Sequence, residues 1–151
     1  MERFEKAVFT NMCMVYDDCG NVLVQDRVDE DWGGITFPGG HVEKREDFTD
    51  AVIREVFEET GLRISGPRLC GIKQWTREDG SRYVVLCYKT DRYEGTLVSS
   101  EEGEMTWVKM EDLEKMPLAR GMNYMLRLFL DDDISEHSFC MCGGSRVDVL
   151  K

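Results

Sequence analysis

The stretch covering residues 40–62, GHVEKREDFTDAVIREVFEETGL, constrains this chain most, because it reads as one helix with two faces of opposite character. Asp47 suits the N-cap, and Asp50 three residues on completes a capping-box arrangement that also sets negative charge at the positive end of the helix dipole. Gly61 suits the left-handed residue that stops the helix. At about 100° per residue, Val52, Ile53, Val56 and Phe57 fill one arc, while Glu55, Glu58 and Glu59 gather on a neighbouring arc flanked by Arg54. The spacing therefore predicts a helix over about 47–60 with a buried face and a carboxylate face.

The carboxylate face is locally unfavourable. Glu55 lies three and four residues before Glu58 and Glu59, where like charges cost roughly 0.2–0.5 kcal/mol per pair. Glu58 and Glu59 also occupy the last turn, where the dipole disfavours anions. A solvated acidic face is one explanation in so acidic a chain. A hard divalent cation is the other, since Mg2+ or Mn2+ prefers oxygen ligands and bridges carboxylates to phosphates.

The whole segment resembles the Nudix box: glycine, five residues, glutamate, seven residues, Arg-Glu, an aliphatic, one residue, Glu-Glu, one residue, glycine, an aliphatic. Gly40, Glu46, Arg54, Glu55, Val56, Glu58, Glu59, Gly61 and Leu62 meet it without a departure. The resemblance implies a hydrolase of nucleoside diphosphates linked to another group, with water attacking a phosphorus of the pyrophosphate. It implies Glu55, Glu58 and Glu59 as ligands of Mg2+, with Mn2+ as a substitute and the backbone carbonyl of Gly39 as a further ligand. Gly39 and Gly40 would let the backbone approach metal and phosphate, or form a turn that needs positive φ. Arg54 either contacts phosphate or orients Glu58, four residues on, as an ion pair. Glu46 reads as structural, and Glu55 is the first candidate for general base. The acidic loop Glu101-Glu102-Gly103-Glu104 stands where many members carry another metal-binding or basic glutamate. The spacing to Trp107 favours Glu101 or Glu104, with a solvated turn as the alternative.

The run Val22-Leu23-Val24-Gln25-Asp26-Arg27 and the later Phe37-Pro38-Gly39-Gly40 resemble the MutT-like branch, which converts oxidised purine nucleotides such as 8-oxo-dGTP to monophosphate and pyrophosphate. That resemblance puts Arg27 near the phosphates, Phe37 by the base and Gly40 against the substrate. Asn123 is placed to read a purine edge, because an amide both donates and accepts. Core packing for Phe37 and a surface position for Asn123 are the plain alternatives. Arg77 stands where ADP-ribose hydrolases tend to have proline, and Asp79 and Gly80 where diadenosine polyphosphate hydrolases tend to have tyrosine. Nucleoside triphosphates are thus the default substrate. ADP-ribose, dinucleoside polyphosphates and nucleotide sugars are alternatives, as is a non-catalytic nucleotide sensor, against which the intact box speaks.

With 151 residues and 42% hydrophobic content the chain is expected to form a single domain over 1–151. A net charge of −11 argues against binding a nucleic-acid polymer, whose backbone needs a basic surface. An anionic small molecule could approach so acidic a site only with cations present, so the charge itself predicts metal dependence. No apolar run approaches the roughly 18 residues of a membrane span, and the expectation is a cytoplasmic protein without membrane contact. A homodimer is compatible with the sequence. The six cysteines lack paired Cys-x-x-Cys spacing and read as reduced thiols, with Cys140 and Cys142 sharing one face of a strand.

Strands are expected over 8–16, 22–25, 35–37, 69–76, 83–90 and 105–109, with a hairpin turn at Glu78-Asp79-Gly80-Ser81. Met122, Met125, Leu126 and Phe129 give helical spacing over 119–130. The tail, about 138–150, reads as a β-hairpin around Gly143-Gly144. Strands mixed with two helices predict an α+β chain, in agreement with the implied α/β/α Nudix sandwich, a mixed sheet between helices.

Overall fold

The computed structural model describes residues 2–151. In chain order the elements are β1 (Ala7–Val15), β2 (Asn21–Arg27), β3 (Gly34–Thr36), α1 (Phe48–Thr60), β4 (Leu62–Ile64), β5 (Arg68–Thr76), β6 (Arg82–Thr90), β7 (Tyr93–Gly95), β8 (Gly103–Lys109), a 3-10 turn (Met110–Lys115), α2 (Met122–Leu130), β9 (Glu136–Cys142) and β10 (Ser145–Leu150). The main sheet runs β1-β6-β5-β9-β10, and β3-β2-β8 and β4-β7 form two smaller sheets. In the main sheet β1 is parallel to β6 and β5 to β9, while β5 with β6 and β9 with β10 are antiparallel.

The near-continuous apolar run of β1 follows from a sheet covered on both faces. Cys13 and Val15 pack with Val52 and Val56 of α1, together with Leu23, Leu86 and Met105. Met12 and Met14, pointing the other way, join Met125 and Phe129 of α2 with Val24, Phe37 and Cys87. The expected α/β/α sandwich is thus formed, with a mixed sheet between two helices.

Two details of α1 differ from expectation. Asp47 takes the extended N-cap conformation, but its side chain makes no capping hydrogen bond. Phe57 is 44% exposed, so Ala51, Val52, Val56 and Thr60 form the buried face. The Phe57 ring sits at the margin of that arc, where the Arg63 guanidinium covers it at 4.8 Å. Gly61 does stop the helix, at φ 77°, its N–H donating to the Phe57 carbonyl.

The tail is the expected hairpin, beginning at Glu136, with Gly143 and Gly144 both at positive φ, as a two-residue type I′ loop requires. Cys140 and Cys142 lie two apart on β9, and all six cysteines are free. Among the described residues no helix is long and apolar enough to cross a membrane.

Candidate active site

The Pro38–Gly40 turn is strapped to β1: the Asn11 N–H donates to the Gly40 carbonyl and the Cys13 N–H to the Pro38 carbonyl, each at 2.8 Å, while the Gly40 N–H donates to Asn11 Oδ1 at 3.1 Å. A Cβ on Gly39 would strike the Asn11 carbonyl, and one on Gly40 the Glu55 carboxylate. Neither glycine has positive φ, so close approach explains both.

Against this turn stand the glutamates. Glu59 is buried, at 5% exposure, and accepts the Gly39 N–H at 3.0 Å. Burial first, then its contact with the Glu102 carboxyl, holds the Glu59 acid well above the usual carboxylate range. Burial also raises Glu55, against the opposing pull of Arg54. Glu58 is the outermost of the three, its side chain 56% exposed.

Arg54 holds this face in place. Its guanidinium donates to both Glu46 carboxylate oxygens at 2.7 and 2.9 Å, to the His41 carbonyl at 2.9 Å, to Glu55 at 3.0 Å and to Glu58 at 3.2 Å. The Arg54 hydrogen bonds pull Glu46 down to about 2. Arg54 is thus the clamp between helix and loop, a pairing that runs to Glu46 and Glu55 as well as Glu58.

In the acidic loop Glu102, rather than Glu101 or Glu104, reaches Glu59. Glu102, just before β8, lines the cavity, whereas Glu104 pairs with Asp26 within the strand and is exposed. Glu101 is also exposed, in the turn. Glu102 further meets the Arg27 guanidinium at 3.8 Å.

Gly39, Gly40, Glu55, Glu59 and Glu102 line one end of a cavity of about 530 Å³. Arg27 is on its wall, the guanidinium 5.4 Å from the centre of the Trp32 ring. Phe37 is both wall and core, 2% exposed and edge-on to Phe129 at 5.1 Å. Asn123 is not brought there. It lies on the exposed side of α2, roughly 200° around the helix from Met125, the residue α2 does offer to the cavity. The other end is built by Lys73, Trp75, Tyr83, Phe139 and Arg146, none of which stands out in the sequence. The available signal is their shared phase: Lys73 and Trp75 are two apart on β5, and Trp75 pairs with Tyr83 across the sheet.

The model of the NUDIX domain matches residues 8–129, which leaves the β9–β10 hairpin outside the match. The Nudix hydrolase YvcI of Bacillus subtilis is 35% identical over 122 residues, covering 78% of this chain and 75% of that protein. The CTP pyrophosphohydrolase of Escherichia coli K12 is 29% identical over 114 residues, covering 74% and 83% respectively. The crystal structure of a MutT protein from Bacillus halodurans superposes with a TM-score of 0.81 at 26% identity, covering 95% of this chain and 97% of that one. With the box, the sandwich and the cavity in agreement, the chain belongs to the Nudix family and is a MutT-like pyrophosphohydrolase of nucleoside diphosphate-linked substrates.

Proposed function

We propose that the chain hydrolyses a nucleoside triphosphate to monophosphate and pyrophosphate with Mg2+ or Mn2+, and that an oxidised purine nucleotide of the 8-oxo-dGTP kind is its first substrate. The observation that carries this reading is the carboxylate wall of Glu55, Glu59 and Glu102 beside the Gly39–Gly40 turn, opening on a cavity of nucleotide size. Its donors are all oxygens, the set that hard divalent cations prefer. Among the described residues no three such side chains converge tightly enough to grip an ion as they stand, with Glu55 and Glu58 turned to Arg54. The contact of the buried Glu59 with Glu102 is nevertheless one that a cation would relieve. The donor set therefore fits.

Glu55, Glu58, Glu59 and Glu102 would hold the cation, with the Gly39 carbonyl as a further ligand. Bound there, it would neutralise the polyphosphate and make water a better nucleophile near neutral pH. Arg54 orients the carboxylates, and Glu55 accepts the proton of the attacking water. Arg27 faces the phosphates, Gly40 keeps the backbone clear of them, and Phe37 backs the site. Cytidine triphosphate is the second reading, favoured by the likeness to a CTP pyrophosphohydrolase.

A panel of 8-oxo-dGTP, dGTP, CTP, ADP-ribose, diadenosine tetraphosphate and a nucleotide sugar tests the reading. Pyrophosphate release fastest from a triphosphate is expected. ADP-ribose preferred by about tenfold in kcat/KM, roughly 1.4 kcal/mol of transition-state preference, would overturn it.

A further inference from the structure

Lys73 is 5% exposed, yet among the described residues no side-chain acceptor bonds its ammonium, which faces the cavity 5.4 Å from the Trp75 ring centre and 5.6 Å from that of Phe139. A buried cation without a partner is costly, so a group that supplies one is to be sought in the ligand. Beside it stands Arg146 of β10. Its Nε and Nη2 donate to Asp148 at 2.9 Å each, and its guanidinium covers Phe139 at 3.8 Å. Asp148, itself buried to 6%, also meets His137 Nε2 at 2.7 Å, so the hairpin locks the arginine in place.

Strand register explains why these groups share one floor. Lys73 pairs with Val85 on one side and His137 on the other, Trp75 with Tyr83, and Asp148 with Phe139. Arg146 Nη2 and Lys73 Nζ converge on one point, 2.8 and 3.0 Å from where a Cβ on Gly121 would stand. Both groups carry hydrogens and no lone pairs, so they demand acceptors. Lys73 is two strands from β1, and the glycine turn is bonded to the outer edge of β1, so three spacings of about 4.8 Å put Lys73 roughly 14 Å from that turn. The phosphates belong at the glutamate end, which leaves the nucleobase for this one.

We infer that the C-terminal hairpin is part of the substrate site: with β5 it forms a base subsite in which Lys73 and Arg146 converge on the O6 acceptor of guanine or 8-oxoguanine, or on the adjacent O2 and N3 of cytosine, and reject adenine. The inference rests on the nucleotide-hydrolase reading above. Guanine and 8-oxoguanine both keep O6 with its two lone pairs, and cytosine offers O2 beside N3, whereas adenine sets its N6 amino group against the cations. His137 and Asp148 are positioning residues for Arg146.

The test measures binding of GMP, CMP and AMP in EDTA, and kcat/KM for GTP, CTP and ATP with Mg2+, on wild type, Lys73→Met, Arg146→Met and Arg146→Lys. Wild type is expected to bind GMP or CMP at least about tenfold more tightly than AMP, and both methionine variants to lose about that factor of preference. Arg146→Lys keeps the charge and should retain part of it. Lys73→Met removes a buried unpaired charge and should melt higher than wild type, which separates lost selectivity from lost fold. Parallel losses for all bases would overturn the subsite in favour of a phosphate contact, and unchanged preferences would overturn it outright. A wild type that hydrolyses no triphosphate overturns the functional reading instead, while monophosphate binding still decides the subsite.

Discussion

At the scale of single residues, the chemistry is concentrated in a few buried charges. Glu59→Gln should lower turnover by at least about 10³-fold at saturating Mg2+ while circular dichroism and the melting temperature show the fold retained. Lys73 gives a complementary expectation in stability. Burial, reinforced by Arg146, pulls its ammonium down from 10.5 to about 8. Between those values the unfolded chain holds more protons than the folded one, so the Lys73 contribution to stability rises with pH across that window. Melting curves should show wild type gaining on Lys73→Met from about pH 8 to 10.5, and parallel curves would refute the assignment. The box glutamates were legible in the sequence because nine spaced positions name them together. Lys73 was not, because period-two alternation gives a strand two faces without saying which one looks into a cavity. Asn123 misled for a related reason: its amide chemistry suited a purine, but helical phase, fixed by Met122, Met125 and Phe129 in the core, points it outward.

Among the elements, α1 shows what a motif reveals and what it leaves out. Its limits and its Gly61 stop were readable, whereas the anchoring of its start was not. The sequence favoured Asp47, but the tie between loop and helix is Arg54, through Glu46 and the His41 carbonyl. Arg54→Ala should therefore lower activity by about 10–100-fold, through loss of carboxylate orientation. Its stability deficit should shrink as pH falls from 4.5 to about 2, the window over which Glu46 protonates in the unfolded and then the folded protein. Urea titrations across that range check the sign, and a constant deficit would remove Glu46 from the account. β4 and β7, three residues each, were too short to carry a periodic signal. The tail hairpin was legible from Gly143-Gly144, but its parallel docking on β5 was not, because pairing between distant strands leaves no local mark.

For the molecule as a whole, the sandwich places a rigid apolar sheet beneath a cavity with opposite charge at its ends, carboxylates near β1 and cations near β10. On the function proposed above, that polarity would reconcile a net charge of −11 with an anionic substrate: the acidic end would take up a cation, and the basic end would be met by the ligand. The mixed architecture could be expected from the order of strands and helices. The polarity of the cavity could not, since it depends on side chains more than sixty residues apart in sequence lying on one face. The most direct measurement is pyrophosphate release from 8-oxo-dGTP by wild type with Mg2+, by wild type in EDTA and by Glu59→Gln with saturating Mg2+. Monophosphate and pyrophosphate should form with Mg2+ and not in EDTA, and the variant should be slower by at least about 10³-fold. Turnover by Glu59→Gln near the wild-type rate would contradict the account.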